Sequence, residues 1–360
     1  MPSLHVITAV PLNVRTGSGC YVAVETLVGA LRQGGTKVEL VTPSISTPAY
    51  TTTRVVFNQM LRWRRFDGDV TVGIDADGYL VAGTGRLPHV ACIKGVIGDA
   101  VPFERGFTRL SMAYQARLEK EHARRADLVI TISRYCAERL EELYGVTNAV
   151  VVPELIDLDR WRRLFRDNPG TPDPHRFTVL TVCRFYPRKR LDLLLRAAAL
   201  LRDRIPSLQV RIVGNGHQAR LLHRMSRDLR LESVVNWVGD LSIRALAAEY
   251  QAADVFCLPS GQEGFGLVFL EAMAAGTPIV ATRAAAAPEV VRNGLLAPPD
   301  DPEGLADALV EFYRNPDLRA SSAAAGLRDV EQYEKSRVAA QFLAAVAKVA
   351  PGVSPVAQIS

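Results

Sequence analysis

Short apolar runs that alternate with helical stretches, twice over, constrain this chain more than any other feature of its sequence. LHVITAVPL is followed by the turn NVRTGSG and by a helical stretch from about Val22 to Arg32 that Gly34-Gly35 closes. TKVELVT, DVTVGID, HVACIKG, DLVITIS and NAVVVPE follow as further short apolar runs. Runs of this kind, apolar at successive positions rather than at alternate ones, suit strands of a parallel sheet covered on both faces. RDNPGTPDPH, residues 166–175, interrupts the pattern with three prolines and a glycine and reads as a linker. The alternation then restarts with FTVLTVC, a helix from about Leu191 to Arg204, LQVRIVG, a helix over about 217–230, VVNWVG, a helix over about 243–252, DVFCLP and PIVAT. The expected fold class is α/β, with two Rossmann-like, doubly wound domains facing a central cleft. The first covers 1–165 and the second 176–330, with 166–175 between them. In such sheets ligands sit beyond the carboxyl ends of the strands, where helix N-termini point.

Composition removes several other classes. Five cysteines (Cys20, Cys92, Cys136, Cys183, Cys257) are scattered with no CxxC pair, so free thiols are expected rather than a disulfide framework. The histidines show no HExxH-like spacing, and no bound metal is expected. LHVITAV reads at once as a buried strand, so a cytoplasmic protein without a leader is expected. No run approaches the length of a spanning helix. A formal charge of +5 suits anionic ligands such as nucleotide diphosphates, or an anionic membrane surface. It would also suit nucleic acid, but no helix-turn-helix, RNP or zinc-finger pattern accompanies it.

The most informative local stretch is SGQEGFGLVFLEAMAAGTPIVAT, residues 260–282. A strand ends at Pro259, a glycine-rich turn follows, and LVFLEAMAA is a good helix former. Gly264 and Gly266 permit positive φ or close approach to a ligand, and the amides from about Gly266 to Val268 open the helix as an anion site. Glu263 precedes that site and Glu271 lies about one turn inside the helix. A carboxylate is repelled by a diphosphate, so the role open to each is accepting hydrogen bonds from hydroxyls. Each also has a plainer reading, Glu263 as an N-terminal acid and Glu271 as a solvated or salt-bridged side chain. RFYPRKR after FTVLTVC gathers cations at a strand's carboxyl end, as a phosphate clamp would.

EGFGLVFLEAMAAGTPIVAT resembles the donor-site signature of retaining glycosyltransferases with two Rossmann domains (the GT-B type), specifically the large GT4-like, group 1 family. TVCRFYPRKRLDLLLRAAALL, VRIVGNGHQARLL, VNWVGDL, YQAADVFCLPS and APEVVRNGLLAPPDDPEGLADAL agree in order and spacing, over about 175–315 and, less closely, over 1–160. The resemblance implies a retaining, metal-independent hexosyltransferase acting on a nucleotide sugar, with UDP as the default carrier and no cofactor beyond that substrate. By similarity, Arg184 and Lys189 hold the donor diphosphate, Glu263 takes hydroxyls of the transferred sugar, and Glu271 takes the ribose. Backbone groups of Phe265, Gly266 and Leu267 meet the sugar or phosphates. Gly214 and Val238 border the base and ribose. Gly17 and Gly19 in RTGSG let the first loop pack close to diphosphate and acceptor. Arg188 and Arg190 in the same stretch are expected to be solvated cations. It also implies that 331–360 is a helical segment crossing back to the first domain, and that the acceptor is a small molecule, a glycan or a lipid-linked sugar.

TVGIDADGYLVA and HVACIKGVIGD supply the acceptor side on this reading, with Asp75 and Lys94 as candidate residues. Lys94-Gly95 stands where many relatives have a histidine, Glu154 in VVPELID where an asparagine is usual, and alanines in AAAAPEVV where a glycine pair is usual. Asp75-Ala76-Asp77 also has the form of a DxD metal motif, which belongs to the other glycosyltransferase fold. Two competing functions keep the α/β frame. GNGHQA at 214–219 follows a strand and opens a helix as a dinucleotide fingerprint does, which would give an NAD-type oxidoreductase; an epimerase of nucleotide sugars is the other. Finally, RVVFNQMLRWRRF as a helix puts Arg54, Asn58, Arg62 and Arg65 on one face and Val56, Met60 and Trp63 on another. Its basic face would rest on an anionic bilayer as a peripheral membrane contact, or simply face solvent with the rest packed on the sheet.

Overall fold

The structure, a computed structural model, describes residues 2–9, 19–45, 47 and 49–353. The chain divides into two compact units, residues 1–155 with 334–360, and residues 156–333.

In the first unit β1 (Ser3–Ile7), α1 (Gly19–Gln33), β2 (Lys37–Val41), α2 (Tyr50–Leu61), β3 (Val70–Ile74), β4 (His89–Ile93), α3 (Ile97–Ala100), α4 (Gly106–Arg125), β5 (Leu128–Thr131), α5 (Arg134–Tyr144) and β6 (Val150–Val151) follow one another. The six strands form one sheet in the order β2-β1-β3-β4-β5-β6, with every pairing parallel. β3 and β4 are buried at every position, which is why they read as continuous apolar runs. The crossover direction reverses between β1 and β3, so their carboxyl ends border the crevice where such sheets bind ligands.

The second unit runs α6 (Leu158–Asp167), β7 (Phe177–Val182), α7 (Leu191–Leu201), β8 (Leu208–Val213), α8 (Ala219–Asp228), β9 (Val235–Gly239), α9 (Ile243–Ala252), β10 (Val255–Leu258), α10 (Leu267–Ala274), β11 (Ile279–Thr282), α11 (Ala287–Val290), β12 (Leu295–Ala297), α12 (Pro302–Arg314) and α13 (Pro316–Asp329). Its sheet is also six-stranded and parallel, in the order β12-β11-β10-β7-β8-β9. Here the reversal falls between β7 and β10. β12 escapes the sequence reading because it is three residues long.

α14 (Lys335–Val346) returns to the first unit. Val338, Phe342, Leu343 and Val346 join the core that Val24, Leu27 and Leu31 of α1 form with the sheet. Burying side chains of this size contributes about 1.5–3 kcal/mol each.

Three expectations need correction. The boundary falls at Leu155/Ile156 rather than at 166–175, because α6 belongs to the second unit: Trp161 packs edge-on against Tyr250 at 5.9 Å. The proline-rich stretch is no free linker, since Gly170 N donates to Gln251 Oε1 at 3.1 Å. The third correction concerns α2, whose basic face is neither solvated nor available to a bilayer at Arg54 and Asn58, both buried. Asp77, fully buried, draws them inward: Arg54 Nε and Nη2 donate to its carboxylate at 3.0 and 3.3 Å, Asn58 Nδ2 at 3.2 Å and the Ala9 amide at 2.7 Å. A buried carboxylate without partners would cost more than exposing an apolar stripe, so the helix turns Val56 and Met60 to solvent.

Candidate active site

The order β10-β7-β8-β9 sets four loops side by side at the carboxyl end of the second sheet. β7 delivers Arg184 and Lys189, β8 delivers Gly214, β9 ends in Val238 and Gly239, and β10 delivers Glu263 to Gly266. Lys189 Nζ and Glu263 Oε2 form a buried ion pair between residues 74 positions apart in sequence. Burial alone would drive Glu263 towards its neutral form, but Lys189 and then Arg188 more than offset it and hold the carboxyl below its usual range. Burial also lowers the Lys189 pKa, against the opposing pull of Glu263. Arg188 is not a solvated cation: its Nη1 donates to Gln262 O at 3.2 Å and its carbonyl accepts from Gly261 N at 2.8 Å, which locks the two loops together. Arg190 is likewise engaged, by Asp192 and Asp300.

Arg184 has a looser partner. Its Nη1 lies 3.3 Å from Asp240 Oδ1, whose side chain is 58% exposed.

Two glycines are demanded by geometry. Gly266 caps α10 at φ 92° and ψ 76°, and a Cβ there would stand 2.5 Å from Phe269 Cδ2. Its left-handed backbone swings the chain into the helix that Leu267 opens, and Phe269 N donates back to Gly266 O at 2.9 Å. Gly214 sits at φ 117°, where a Cβ would be 2.1 Å from Cys183 O. The GNG turn therefore packs on the Arg184 loop, with Phe185 N donating to Asn215 O at 3.0 Å. Close packing accounts for the glycines that also look like a dinucleotide fingerprint. The Phe265 side chain is buried edge-on to Tyr333 at 5.4 Å.

Glu271 faces Tyr250, whose hydroxyl donates to Oε2 at 2.7 Å. Burial pushes the Glu271 carboxyl from 4.5 up to about 7, partly opposed by that hydrogen bond. Tyr250 is a partner that the sequence reading misses; its place two residues before the end of α9, next to β10, is the available signal.

In the first unit Asp75, Lys94 and Glu154 follow the ends of β3, β4 and β6. Lys94 Nζ donates to Glu154 Oε2 at 2.9 Å, with both side chains 5% exposed. Burial opposes the charge on Lys94, and Glu154 more than offsets it, so its pKa rises. Asp75 has φ 53°, accepts from the Lys94 amide at 2.8 Å and lies 3.6 Å from Cys20 Sγ. Burial lifts its carboxyl to about 6. The Lys94–Glu154 partnership is also missed in sequence, although both positions stand out there as departures from the family pattern. Asp75 and Asp77 turn to different partners, so the DxD spacing does not create a two-carboxylate site. Gly19 opens α1; Gly17 lies outside the described residues. All five cysteines are free thiols, as expected.

Residues 165–328 match the family model of glycosyl transferases group 1, and residues 75–160 match that of glycosyltransferase family 4. The chain is 31% identical over 259 residues to the GDP-mannose-dependent alpha-(1-6)-phosphatidylinositol monomannoside mannosyltransferase of Mycolicibacterium smegmatis, covering 67% of each. It is 39% identical over 184 residues to the phosphatidyl-myo-inositol mannosyltransferase of Mycobacterium leprae, covering 50% of this chain and 48% of that relative. The match thus spans about half the length of this second relative. Sucrose-phosphate synthase from Thermosynechococcus elongatus superposes with a TM-score of 0.79 at 21% identity, over 98% of this chain and 100% of that one. The chain belongs to the group 1, family 4 glycosyltransferases: it has the two Rossmann-like units of the GT-B fold and is an enzyme that transfers a hexose. Membership displaces the oxidoreductase and epimerase readings.

Proposed function

We propose that this enzyme transfers a hexose, with retention of anomeric configuration and without a metal, from a nucleoside diphosphate to a hydroxyl of an inositol-containing lipid or related glycan. The buried Lys189–Glu263 pair beside the left-handed Gly266 turn carries the reading, because it sets a cation for a departing diphosphate next to a carboxylate for sugar hydroxyls. The expected uridine carrier gives way to GDP as the first donor to test. Mannose carried by GDP is named for the M. smegmatis relative, and inositol lipids are named for both relatives.

In this mechanism the bond between the anomeric carbon and the diphosphate oxygen lengthens, and negative charge collects on the leaving group. Arg184, Lys189 and the first amides of α10 stabilise that charge, a contribution of the kind that is usually the largest single one in such sites. The acceptor oxygen attacks the face that the diphosphate leaves, and its proton passes to the departing phosphate oxygen. Glu263 fixes the sugar by accepting from its hydroxyls, and Glu271, once ionised, accepts from the ribose. Asp75 and Lys94 are proposed to border the acceptor from the first unit.

The test is a transfer assay with GDP-, UDP- and ADP-sugars against phosphatidylinositol and soluble inositol acceptors, with and without chelator, and with the product anomer assigned by NMR. Transfer from a GDP-sugar that survives chelation and gives the donor's anomer is the expected result. An inverted product, or strict dependence on added metal, would sink the proposed mechanism.

A further inference from the structure

α6 carries four arginines, and the structure sorts them into two kinds. Arg162 pairs with Glu331, and Arg166 Nε lies 3.3 Å from Asp167 Oδ1. Arg160 and Arg163 are exposed and have no carboxylate partner among the described residues. Three positions apart, they share a face of the helix. That face lines a cavity of about 400 Å³ together with Leu164, Asp167, Asn168 and, from α9, Arg244. Arg244 is likewise exposed and without a carboxylate partner among the described residues. Three guanidinium groups from two helices of the second unit therefore line one concavity.

Packing on the other face of α6 fixes this arrangement. Trp161 and Phe165 are buried, 5.4 Å apart, and Trp161 meets Tyr250 of α9. The placement of the cations runs against ordinary helix electrostatics. Arg244 lies in the first turn of α9, where Ser242 Oγ accepts from Ala245 N and no acid is present. The N-terminal end of a helix carries partial positive charge and favours acids; here it receives a cation and faces two more. Among the described residues Asp167 is the only acid lining the cavity, and Arg166 engages it. In the free protein these like charges repel one another, and a bound polyanion would replace that repulsion with charge-assisted hydrogen bonds.

We propose that the cleft between α6 and α9 binds a soluble compound carrying two or more phosphoryl groups, at a site that shares no residue with the donor loops of Arg184, Lys189 and Glu263. A guanidinium fork matches two phosphoryl oxygens at once, so three forks suit a molecule with several such groups. The volume falls within the range of about 300–1,000 Å³ usual for small-molecule sites. Leu164 offers an apolar wall to the body of an organic phosphate. Nucleic acid fits worse, because none of the lining residues is aromatic and nothing there can stack on a base. The site does not depend on which sugar or acceptor the enzyme uses.

The probe is inorganic tripolyphosphate, titrated calorimetrically into the full chain at low salt, with hydrogen exchange and mass spectrometry to locate it. Peptides covering 158–168 and the first turn of α9 should gain protection. Binding at the donor loops would appear separately, as protection over 184–190 and 263–270, so the two sites are told apart. Arg160→Gln/Arg163→Gln/Arg244→Gln should weaken binding at the cleft at least about tenfold. The same variant should keep the wild-type melting temperature, because the replaced side chains are exposed, and should leave any protection of the donor loops unchanged. Orthophosphate should bind the cleft at least about tenfold more weakly than tripolyphosphate, and added salt should weaken both. Absence of protection over α6 and α9 overturns the proposal. So does protection there that the arginine variant leaves unchanged, or equal affinity for orthophosphate and tripolyphosphate.

Discussion

Removing one partner of the Lys94–Glu154 pair tests how the first unit tolerates its departures from the family pattern. Both side chains are 5% exposed. Lys94→Met keeps an unbranched side chain, one atom shorter than lysine, but strands the Glu154 carboxylate in a buried site. Breaking a buried pair in this way costs about 3–5 kcal/mol, whereas replacing both partners with apolar groups of similar volume is often neutral. Lys94→Met should therefore destabilise the first unit by about that amount, and Lys94→Met/Glu154→Leu should recover to within about 1 kcal/mol of wild type. Hydrogen exchange followed by mass spectrometry localises the effect. Peptides covering β4 and β6 should lose protection by roughly 100- to 5,000-fold in the single variant, one factor of ten per 1.4 kcal/mol. Peptides of the second unit should be unaffected. A single variant that loses less than about 1 kcal/mol, or a double variant as weak as the single, would refute the claim that the pair's value lies in mutual compensation.

Glu271 should make the second unit pH-sensitive. Its folded pKa of about 7 lies above the ordinary 4.5, so the folded state binds the proton more tightly. The stability this confers is complete below about 4.5 and is lost as pH rises through about 7; urea unfolding of wild type should show that loss, and Glu271→Gln should flatten it. Nucleotide affinity should rise over the same window if the ionised carboxylate accepts from ribose, and calorimetric titration of GDP at several pH values measures it. Arg184→Met should lower nucleoside diphosphate affinity more than about tenfold, read by the same calorimetric titration. Gly266→Ala should cost about 2–4 kcal/mol, from left-handed backbone and the clash with Phe269; a cost below about 1 kcal/mol by urea unfolding would mean the turn relaxes freely.

Much of this was legible in the chain because the signals are local. Parallel strands buried on both faces declare themselves as Val- and Ile-rich runs, and the glycine turn before α10 is spelled out in EGFG. Pairings set by strand order were not legible as contacts. Nothing near Lys189 says that β10 will lie against β7 and bring Glu263 to it, nor that β4 and β6 will flank β5 closely enough for Lys94 to meet Glu154. α2 shows the sharper failure. Its amphipathic pattern predicts which residues share a face, but the sign of the exposure is decided by Asp77, which lies outside the helix. The proline-rich stretch 166–175 failed as a boundary for a similar reason, since α6 before it is committed to Tyr250 in the second unit.

The return of α14 to the first unit has a consequence for how the molecule is made. Residues 156–333 are an uninterrupted stretch, while the first unit needs residues 334 onward to close the core around α1. During vectorial synthesis the N-terminal unit therefore waits, with the apolar side of α1 uncovered, until the later unit has already emerged. Domains usually complete in the order they leave the ribosome; here the order is reversed. A nascent chain stalled before Lys335 should hold a finished second unit and an unfinished first one, a client for a chaperone that binds apolar helix faces.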